Sequence, residues 1–586
     1  MQKNRSTFFF TALPAAAVLC VLFTFCAAAE TVPGALSYAP PEEAHIFSLT
    51  DGVNALDNEL IVMAAPDTAP ERIAALIAPY GGKIAGRIAI ADEYQLRFDR
   101  ARSPEALETL RRIIEGAAIV DRARLHTFTA AAPEYYDVGD MWRDDLANVA
   151  DNQGDSWYLE IMDVPGAWQY MDTYADYLYP QKVGLIDTGF YPHEDLFFNE
   201  TYNYRAGGYH DNYEHGTAVA GVIGASSRNS AGIMGVYPFG DYNLLGYSFF
   251  EGVKDYGEDS YYVYDYGMAW LLERGARVIN VSMGDDSVVF QYYYDYVLRD
   301  EDLAYEWYNR YTDLARDVGA FMQRCLDNGF DFMIVNSAGN NSNKWHTLTV
   351  NGSDVDFYFD GYADAYHNGP FTRIAQEDFP DVYNRIMVVG SLRDMDTVSE
   401  FSSVGSRVDV YTPGEHILTT SPLAYDEFPS QHGYAYYDGT SLSAPLITGI
   451  AANILTVNPW LGCDDVRDII KFIAGPYQGQ ADFPRNPNAL TAVQMAMDLR
   501  DELALGAPNS YGITLRPRRG DVDRNGSVTT ADARLALRAA IGLEGYEQSS
   551  INHLQADFNR DGDVTTGDAR SILRVAVGLD TLSLKA

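Results

Sequence analysis

Short continuous apolar runs recur through the middle of the chain, at residues 183–186, 278–281, 332–335, 386–389 and 408–411, with helical patterns between them. Unbroken rather than alternating runs predict strands buried on both faces, and their separation by helices predicts a parallel sheet. In such sheets the chemistry gathers beyond the carboxyl ends of the strands. Three of these runs end in small or polar residues: Asp187-Thr188-Gly189, Ser282-Met283-Gly284 and Ser337-Ala338-Gly339-Asn340. Those ends are where a site is expected.

Upstream the rhythm differs. Residues 59–63 are extended and apolar, and Pro70 then opens a helix with Ile73, Leu76, Ile77 and Tyr80 at i, i+3, i+4 and i+7. Gly81-Gly82 stops it, and 84–90 and 94–98 read as strands. Ser103 and Pro104 supply the N-cap and first turn of a second helix carrying Leu107, Leu110 and Ile114. The order strand-helix-strand-strand-helix-strand predicts a small α+β domain, with a folded core over about 58–128 inside residues 30–130. An Asp- and Ala-rich linker at 131–156 joins it to the sheet-forming body at 157–505. A Gly- and Pro-containing linker at 506–519 leads to a last module at 520–586.

Several domains are also what 586 residues require, since one compact core does not grow so large. The 42 Lys+Arg against 82 Asp+Glu leave a net charge of −40, which excludes a nucleic-acid-binding surface and a polybasic membrane anchor. With 47 % hydrophobic and 13 % aromatic residues, the chain is too apolar to be disordered. Lys3 and Arg5, an apolar run at 8–25 and Ala27-Ala28-Ala29 read as a secretory signal peptide, residues 1–29. A retained anchor is the competing reading, against which stand Pro14 and the lack of a charged stop-transfer flank. No later stretch reads as long and apolar enough to span a bilayer, so the mature chain is expected to be secreted and free of the membrane. After signal removal only Cys325 and Cys463 remain, either as one bridge or as two thiols.

Three clusters carry candidate chemistry. Asp187 ends one strand, and His215 opens His-Gly-Thr-Ala-Val-Ala-Gly. Ser441 lies in Gly439-Thr440-Ser441-Leu442-Ser443-Ala444-Pro445, ahead of the helical run 446–455. Pro445 is expected in a first helical turn, which puts Ser441 at a helix N-terminus, where backbone N–H groups can stabilise an oxyanion. A serine hydroxyl needs a base to take its proton, and the base needs a carboxylate to fix its tautomer. Each motif alone is a common turn or loop; together, in the order Asp, His, Ser, they resemble the subtilisin-like (subtilase, S8-type) serine proteases.

That resemblance covers roughly 157–505 and implies a subtilisin-like α/β fold, a parallel sheet flanked by helices. It implies Asp187 as orienting acid, His215 as general base, Ser441 as nucleophile and Asn340 as oxyanion-hole amide, with Ser282, Met283 and Gly284 lying along extended polypeptide substrates. It also makes the N-terminal domain an inhibitor-like propeptide, which occupies the cleft and is removed by self-cleavage within 131–156. The family usually has a second His where this chain has Ala218, a packing change. Segments 241–310 and 343–380 are longer than in a minimal member and rich in Tyr and Asp; they either wall the cleft or decorate the surface. If they wall it, their carboxylates favour basic substrate residues, which cleavage profiles on a peptide library would show or refute.

At the C-terminus, residues 521–543 recur as 557–579, with 14 of 23 positions identical. Each copy opens with an EF-hand-like loop. Asp521, Asp523, Asn525, Ser527 (through its carbonyl) and Asp532 stand at positions 1, 3, 5, 7 and 12, with Gly526 at six. The second copy offers Asp557, Asn559, Asp561, Asp563 and Asp568, with Gly562. Hard oxygen ligands in this order suit Ca²⁺. Gly506, Pro508, Gly512 and Pro517 leave no entering helix before the first loop. Exiting helices are expected with apolar stripes Ala533, Leu537, Ala540 and Ala569, Leu573, Ala576. Duplicated loop-helix units with Asp at position 12 resemble dockerin modules, which implies a cohesin domain on a scaffold protein as partner. Arg534, Arg538, Arg570 and Arg574 recur on the helices, either as partner contacts or as solvated faces.

The sequence therefore predicts a secreted serine endopeptidase, made as a zymogen and docked through Ca²⁺ and cohesin. The rival is a catalytically inactive pseudoprotease that serves as a docked binding component.

Overall fold

The computed structural model describes residues 34–39, 45–50, 53–129, 143–144, 156–202, 213–229, 232–248, 262–284, 292–350, 353–394, 397–422, 433–474, 476–477, 480–484, 486–502, 520–523, 527–543, 553–559 and 563–580. The signal peptide and most of the expected maturation segment lie outside these residues.

In the N-terminal domain, β1 (Leu36–Ser37), β2 (Ile46–Thr50), β3 (Val53–Ala64), β4 (Gly82–Ile88), β5 (Glu93–Phe98) and β6 (Val120–Thr129) form one antiparallel sheet. The helices Pro70–Ile77 and Pro104–Glu115 cover one face, and Ser103 caps the second by accepting from Ala106 N at 3.3 Å. The period-2 geometry of β3 explains its continuous apolar run at 60–64. Leu60, Val62 and Ala64 point into the domain's own core with Ile73, Ile77, Leu107 and Ile114. Ile61 and Met63 point the other way and join Ile88, Ile90 and the helices of the next domain. β1 and β2 were not foreseen; they are short and sit at sheet edges.

The connector contributes β7 (Arg143–Asp144). The large domain then runs through β8 (Lys182–Asp187), β9 (Phe198–Tyr202), β10 (Leu244–Ser248), β11 (Ala276–Val281) and β12 (Met333–Ser337). A hairpin of β13 (Lys344–Val350) and β14 (Ser353–Phe359) packs Phe357 and Phe359 on Tyr292. β15 (Ile386–Leu392) and β16 (Val410–Pro413) complete a seven-stranded parallel sheet of order β16-β15-β12-β11-β8-β10-β9. β17 (Ile417–Thr420) and β18 (Tyr434–Tyr437) pair with each other, and β18 with β7.

The sheet is buried on both sides, as its apolar runs predict. Val278, Met333, Val335, Met387 and Val389 face the helix Thr440–Val457 and its neighbours. Ile279, Ile334, Ile386 and Val388 face the helices Gly267–Glu273 and Glu301–Asp327. Contrary to the sequence reading, a later segment is long and apolar enough to cross a membrane, the helix Thr440–Val457. Every residue of it is buried, so it is the core helix of this domain. Cys325 and Cys463 are both buried thiols that do not bridge each other.

The N-terminal sheet is bolted to the helix Glu301–Asp327. Arg324 donates to Ala64 O at 2.8 Å, to Asp92 at 3.0 Å and to Asp121 at 2.5 Å, and Arg124 donates to Asp265 at 2.8 Å. The C-terminal module packs the helices Thr530–Ala540 and Thr566–Ala576 together. Its apolar stripe matches the expected one in part: Ala533 and Ala569 are buried, with Ala536, Ala539 and Ile572 beside them, whereas Leu537 and Leu573 are each 43 % exposed.

Candidate active site

β8 delivers Asp187 to the carboxyl edge of the sheet, and β10 and β11 on its two sides bury it completely. Its Oδ1 accepts from Thr188 N at 2.7 Å and lies 2.6 Å from Nδ1 of His215. His215 is the third residue of the helix Tyr213–Gly224 and is 2 % exposed. The helix can approach the strand so closely because residue 216 is glycine: a Cβ there would stand 2.2 Å from Gly189 O. Thr419 and Thr420 of β17 hold the helix from the far side, donating at 2.7 Å to Ala218 O and Thr217 O.

A carboxylate at Nδ1 makes that nitrogen the proton carrier and leaves Nε2 as the basic one. Nε2 of His215 is buried and has no hydrogen-bond partner among the described residues, while Ser441 Oγ donates to Ser282 O at 3.2 Å. Resting sites often hold their catalytic hydrogen bonds loosely and tighten them around substrate.

Ser441 is the second residue of the helix Thr440–Val457, so the expected helix N-terminus is present. Pro445 is not in its first turn, however, but at the sixth position, inside the helix. Proline there cannot donate to the carbonyl four residues earlier, which is that of Ser441. Ser282 Oγ supplies the missing donor, at 2.9 Å. Asn280 Nδ2 in turn donates to Ser282 Oγ at 2.8 Å, and Thr448 Oγ1 to Asn280 Oδ1 at 2.9 Å. Ser282 is thus turned toward the peptide of Ser441 and is 1 % exposed. Met283 follows, its carbonyl accepting from Asn336 Nδ2 at 2.8 Å, and Gly284 is packed so tightly on Asn368 that a Cβ would meet its carbonyl oxygen at 2.5 Å.

Asn340 leaves the end of β12 and is aimed by Thr440. Its Oδ1 accepts from Thr440 N at 2.9 Å and from Thr440 Oγ1 at 2.8 Å, while Thr440 Oγ1 accepts from Gly339 N at 3.2 Å. With the amide oxygen anchored, Nδ2 is left on the side of Gly439. A Cβ on Gly439, whose φ is +153°, would lie 3.4 Å from Asn340 Nδ2 and 3.7 Å from Ser441 N. Two N–H donors therefore converge on one small space that a side chain at 439 would fill. Such preorganised donors in a water-poor pocket suit a developing oxyanion. Sequence reasoning missed the positioning by Thr440 and Asn280; Pro445 was the available signal, since a proline four residues after Ser441 demands another donor.

In the C-terminal module, carboxylate oxygens of Asp521, Asp523 and Asp532 lie within 4.8 Å of one another. Three anions so close repel unless a cation sits among them, and hard oxygens fit Ca²⁺. Asp532 also caps its helix, accepting from Thr529 N at 2.7 Å and from Val522 N at 2.7 Å. In the second loop Asp568 accepts from Asn559 N at 3.0 Å and Thr565 N at 2.9 Å, close to Asp557 and Asp563 in sequence. Ser527 is described and exposed; Asn525 and Asp561 lie outside the described residues.

Against known families, residues 180–500 match the subtilase family and residues 519–574 the dockerin type I domain. Subtilisin DY of Bacillus licheniformis is 25 % identical over 298 residues, 49 % of this chain and 81 % of its own. Fervidolysin of Fervidobacterium pennivorans is 27 % identical over 328 residues, 53 % of this chain but only 37 % of its own length. The crystal structure of fervidolysin, a keratinolytic enzyme related to subtilisin, aligns with 79 % of this chain and 64 % of that one, at 19 % identity and a TM-score of 0.48.

Proposed function

Because the chain belongs to the subtilase family of serine peptidases and carries a dockerin type I domain, we propose that it is a secreted endopeptidase, made as a zymogen and held on a cohesin-bearing scaffold. Asp187, His215 and Ser441 act as its triad. The observation that carries this is the 2.6 Å bond between Asp187 Oδ1 and His215 Nδ1, at the same sheet edge as Ser441 and Asn340.

Rotation of Ser441 Oγ away from Ser282 O toward His215 Nε2 lets the imidazole take its proton as oxygen attacks the scissile carbonyl. Asp187 balances the imidazolium, and Asn340 Nδ2 with Ser441 N receives the oxyanion. His215 then protonates the leaving amine, and water releases the acyl group by the reverse steps. Polypeptide runs past Ser282, Met283 and Gly284.

The N-terminal domain acts as the propeptide, its apolar sheet face and Arg124 seated on the protease, with cleavage within 131–156 and a signal peptide at 1–29. Asp521, Asp523, Asn525, Ser527 and Asp532, and Asp557, Asn559, Asp561, Asp563 and Asp568, would hold one Ca²⁺ per repeat. Bound Ca²⁺ would neutralise the clustered carboxylates and fix each loop onto its helix.

The test is N-terminal sequencing of the chain and of Ser441→Ala after secretion. A mature terminus within 131–156 in the first and an intact N-terminal domain in the second supports the reading. An unprocessed wild-type chain would favour the pseudoprotease.

A further inference from the structure

The two C-terminal repeats are near copies in sequence, yet they stand in different surroundings. Position 535 is leucine in the first repeat and fully buried; its counterpart in the second is Ser571, partly exposed. The burial of Leu535 comes from outside its repeat. Gly329, just past the helix Glu301–Asp327 and at φ +90°, lies so close that a Cβ on it would be 3.3 Å from Leu535 Cδ1 and 3.5 Å from Val522 Cγ1.

The arginines diverge in the same way. Arg534 donates to Asp67 of the N-terminal domain at 2.7 Å, and Arg538 donates to the other oxygen of Asp67. Arg538 also reaches Asn328 Oδ1 at 3.3 Å. Asn328 in turn donates to Ile90 O of the N-terminal domain at 3.0 Å, so this one residue joins all three domains. In the second repeat Arg570 is exposed and Arg574 bonds to Asp580, six residues away. A leucine placed where its twin repeat has serine stabilises only a chain in which that position is covered. The asymmetry is therefore written into the sequence as well as into the contacts.

We propose that the uncleaved chain latches its first repeat in the notch formed by Asp67, Asn328 and Gly329, which engages Arg534, Leu535 and Arg538 there, so that only the second repeat presents both its arginines to a partner. Loss of the N-terminal domain removes Asp67 and returns Arg534 and Arg538 to solvent. Cleavage would then double the docking faces available to a cohesin. The release step rests on the propeptide reading above; the latch does not.

Hydroxyl-radical footprinting of the full-length Ser441→Ala chain in Ca²⁺ buffer tests the latch without any catalysis. Leu535 is expected to be protected while Leu573 reacts. Asp67→Arg should raise modification of Leu535 about fivefold, the shift in a docking equilibrium expected from losing two partly exposed ion pairs, and leave Leu573 unchanged. Adding Arg534→Glu and Arg538→Glu to Asp67→Arg should restore protection. Those two arginine substitutions alone should open the latch from the other side, which keeps the test decisive where Asp67→Arg does not fold. Leu535 reacting as readily as Leu573 at the outset, or staying protected after both openings, overturns the latch. Processed wild-type chain with Leu535 still protected overturns the release, whereas failure of processing counts against the propeptide reading alone.

Discussion

The carbonyl of Ser441 depends on a side chain from another strand, and this can be measured. Pro445 removes the N–H that would bond Ser441 O, and Ser282 Oγ replaces it at 2.9 Å. Ser282→Ala leaves that carbonyl buried and unsatisfied, a cost of about 1–3 kcal/mol. For a domain of this size each kcal/mol moves the midpoint by about 1–2 °C. The comparison is best made in the Ser441→Ala background, which keeps the carbonyl and removes self-digestion, by calorimetry of the protease transition. Pro445→Ala then supplies the rescue. It restores an N–H at the i+4 position, so Ser282→Ala should cost little in a chain that already carries Pro445→Ala. The coupling energy of the cycle should match most of the single-variant loss. Equal costs of Ser282→Ala in the two backgrounds would refute the substitution of one donor for the other.

Three further outcomes follow from the same geometry. Thr440→Val removes one of the bonds that fix Asn340 Oδ1, worth about 0.5–1.5 kcal/mol, so kcat should fall about 2–13-fold with KM unchanged. In an Asn340→Ala chain the same change should have almost no effect, as steady-state kinetics on a peptide anilide would show. Burial lifts the Asp265 carboxyl to about 7, and burial likewise raises Glu93 beside it, with Asp317, Arg122 and Arg124 as the other charges at this joint. These carboxyls hold protons in the joined domains that they would lose once exposed, so association of the N-terminal domain should weaken as pH rises from about 4 to 7. Asp265→Asn should flatten that dependence in a binding titration of the two domains; an association that strengthens with pH would contradict it. Finally, Asp532→Ala with Asp568→Ala should abolish Ca²⁺-dependent protection of the C-terminal module from added protease. Protection that survives both changes would place the ion elsewhere.

Much of this was legible in the sequence because the physics is local. Continuous apolar runs marked β8, β11, β12, β15 and β16, since a strand covered on both faces has no polar side to show. β9 and β10 escaped notice: β9 is a polar edge strand, Phe-Asn-Glu-Thr-Tyr, and β10 carries Gly246 packed on Phe190. The motifs around Asp187, His215, Ser441 and Asn340 stood at element ends and could be read as a set. Their supports could not, because Ser282 and Ser441 are 159 residues apart and meet only in the fold. Ala533 and Leu537 looked like one apolar stripe by spacing, yet only Ala533 is buried and Leu537 is not, while Ala536 and Ile572 lie in the core, a choice made by the partner surface. The first repeat's attachment to Asp67 likewise has no signature beyond the unlike pair Leu535 and Ser571.

The central claim is that His215 makes Ser441 nucleophilic, and covalent labelling by a fluorophosphonate tests it most directly. The mature chain should take up one label, on the peptide containing Ser441, and His215→Ala should abolish it while leaving the fold intact by circular dichroism. A wild-type chain that takes no label at Ser441, or a His215→Ala chain labelled at the same rate, would contradict the account.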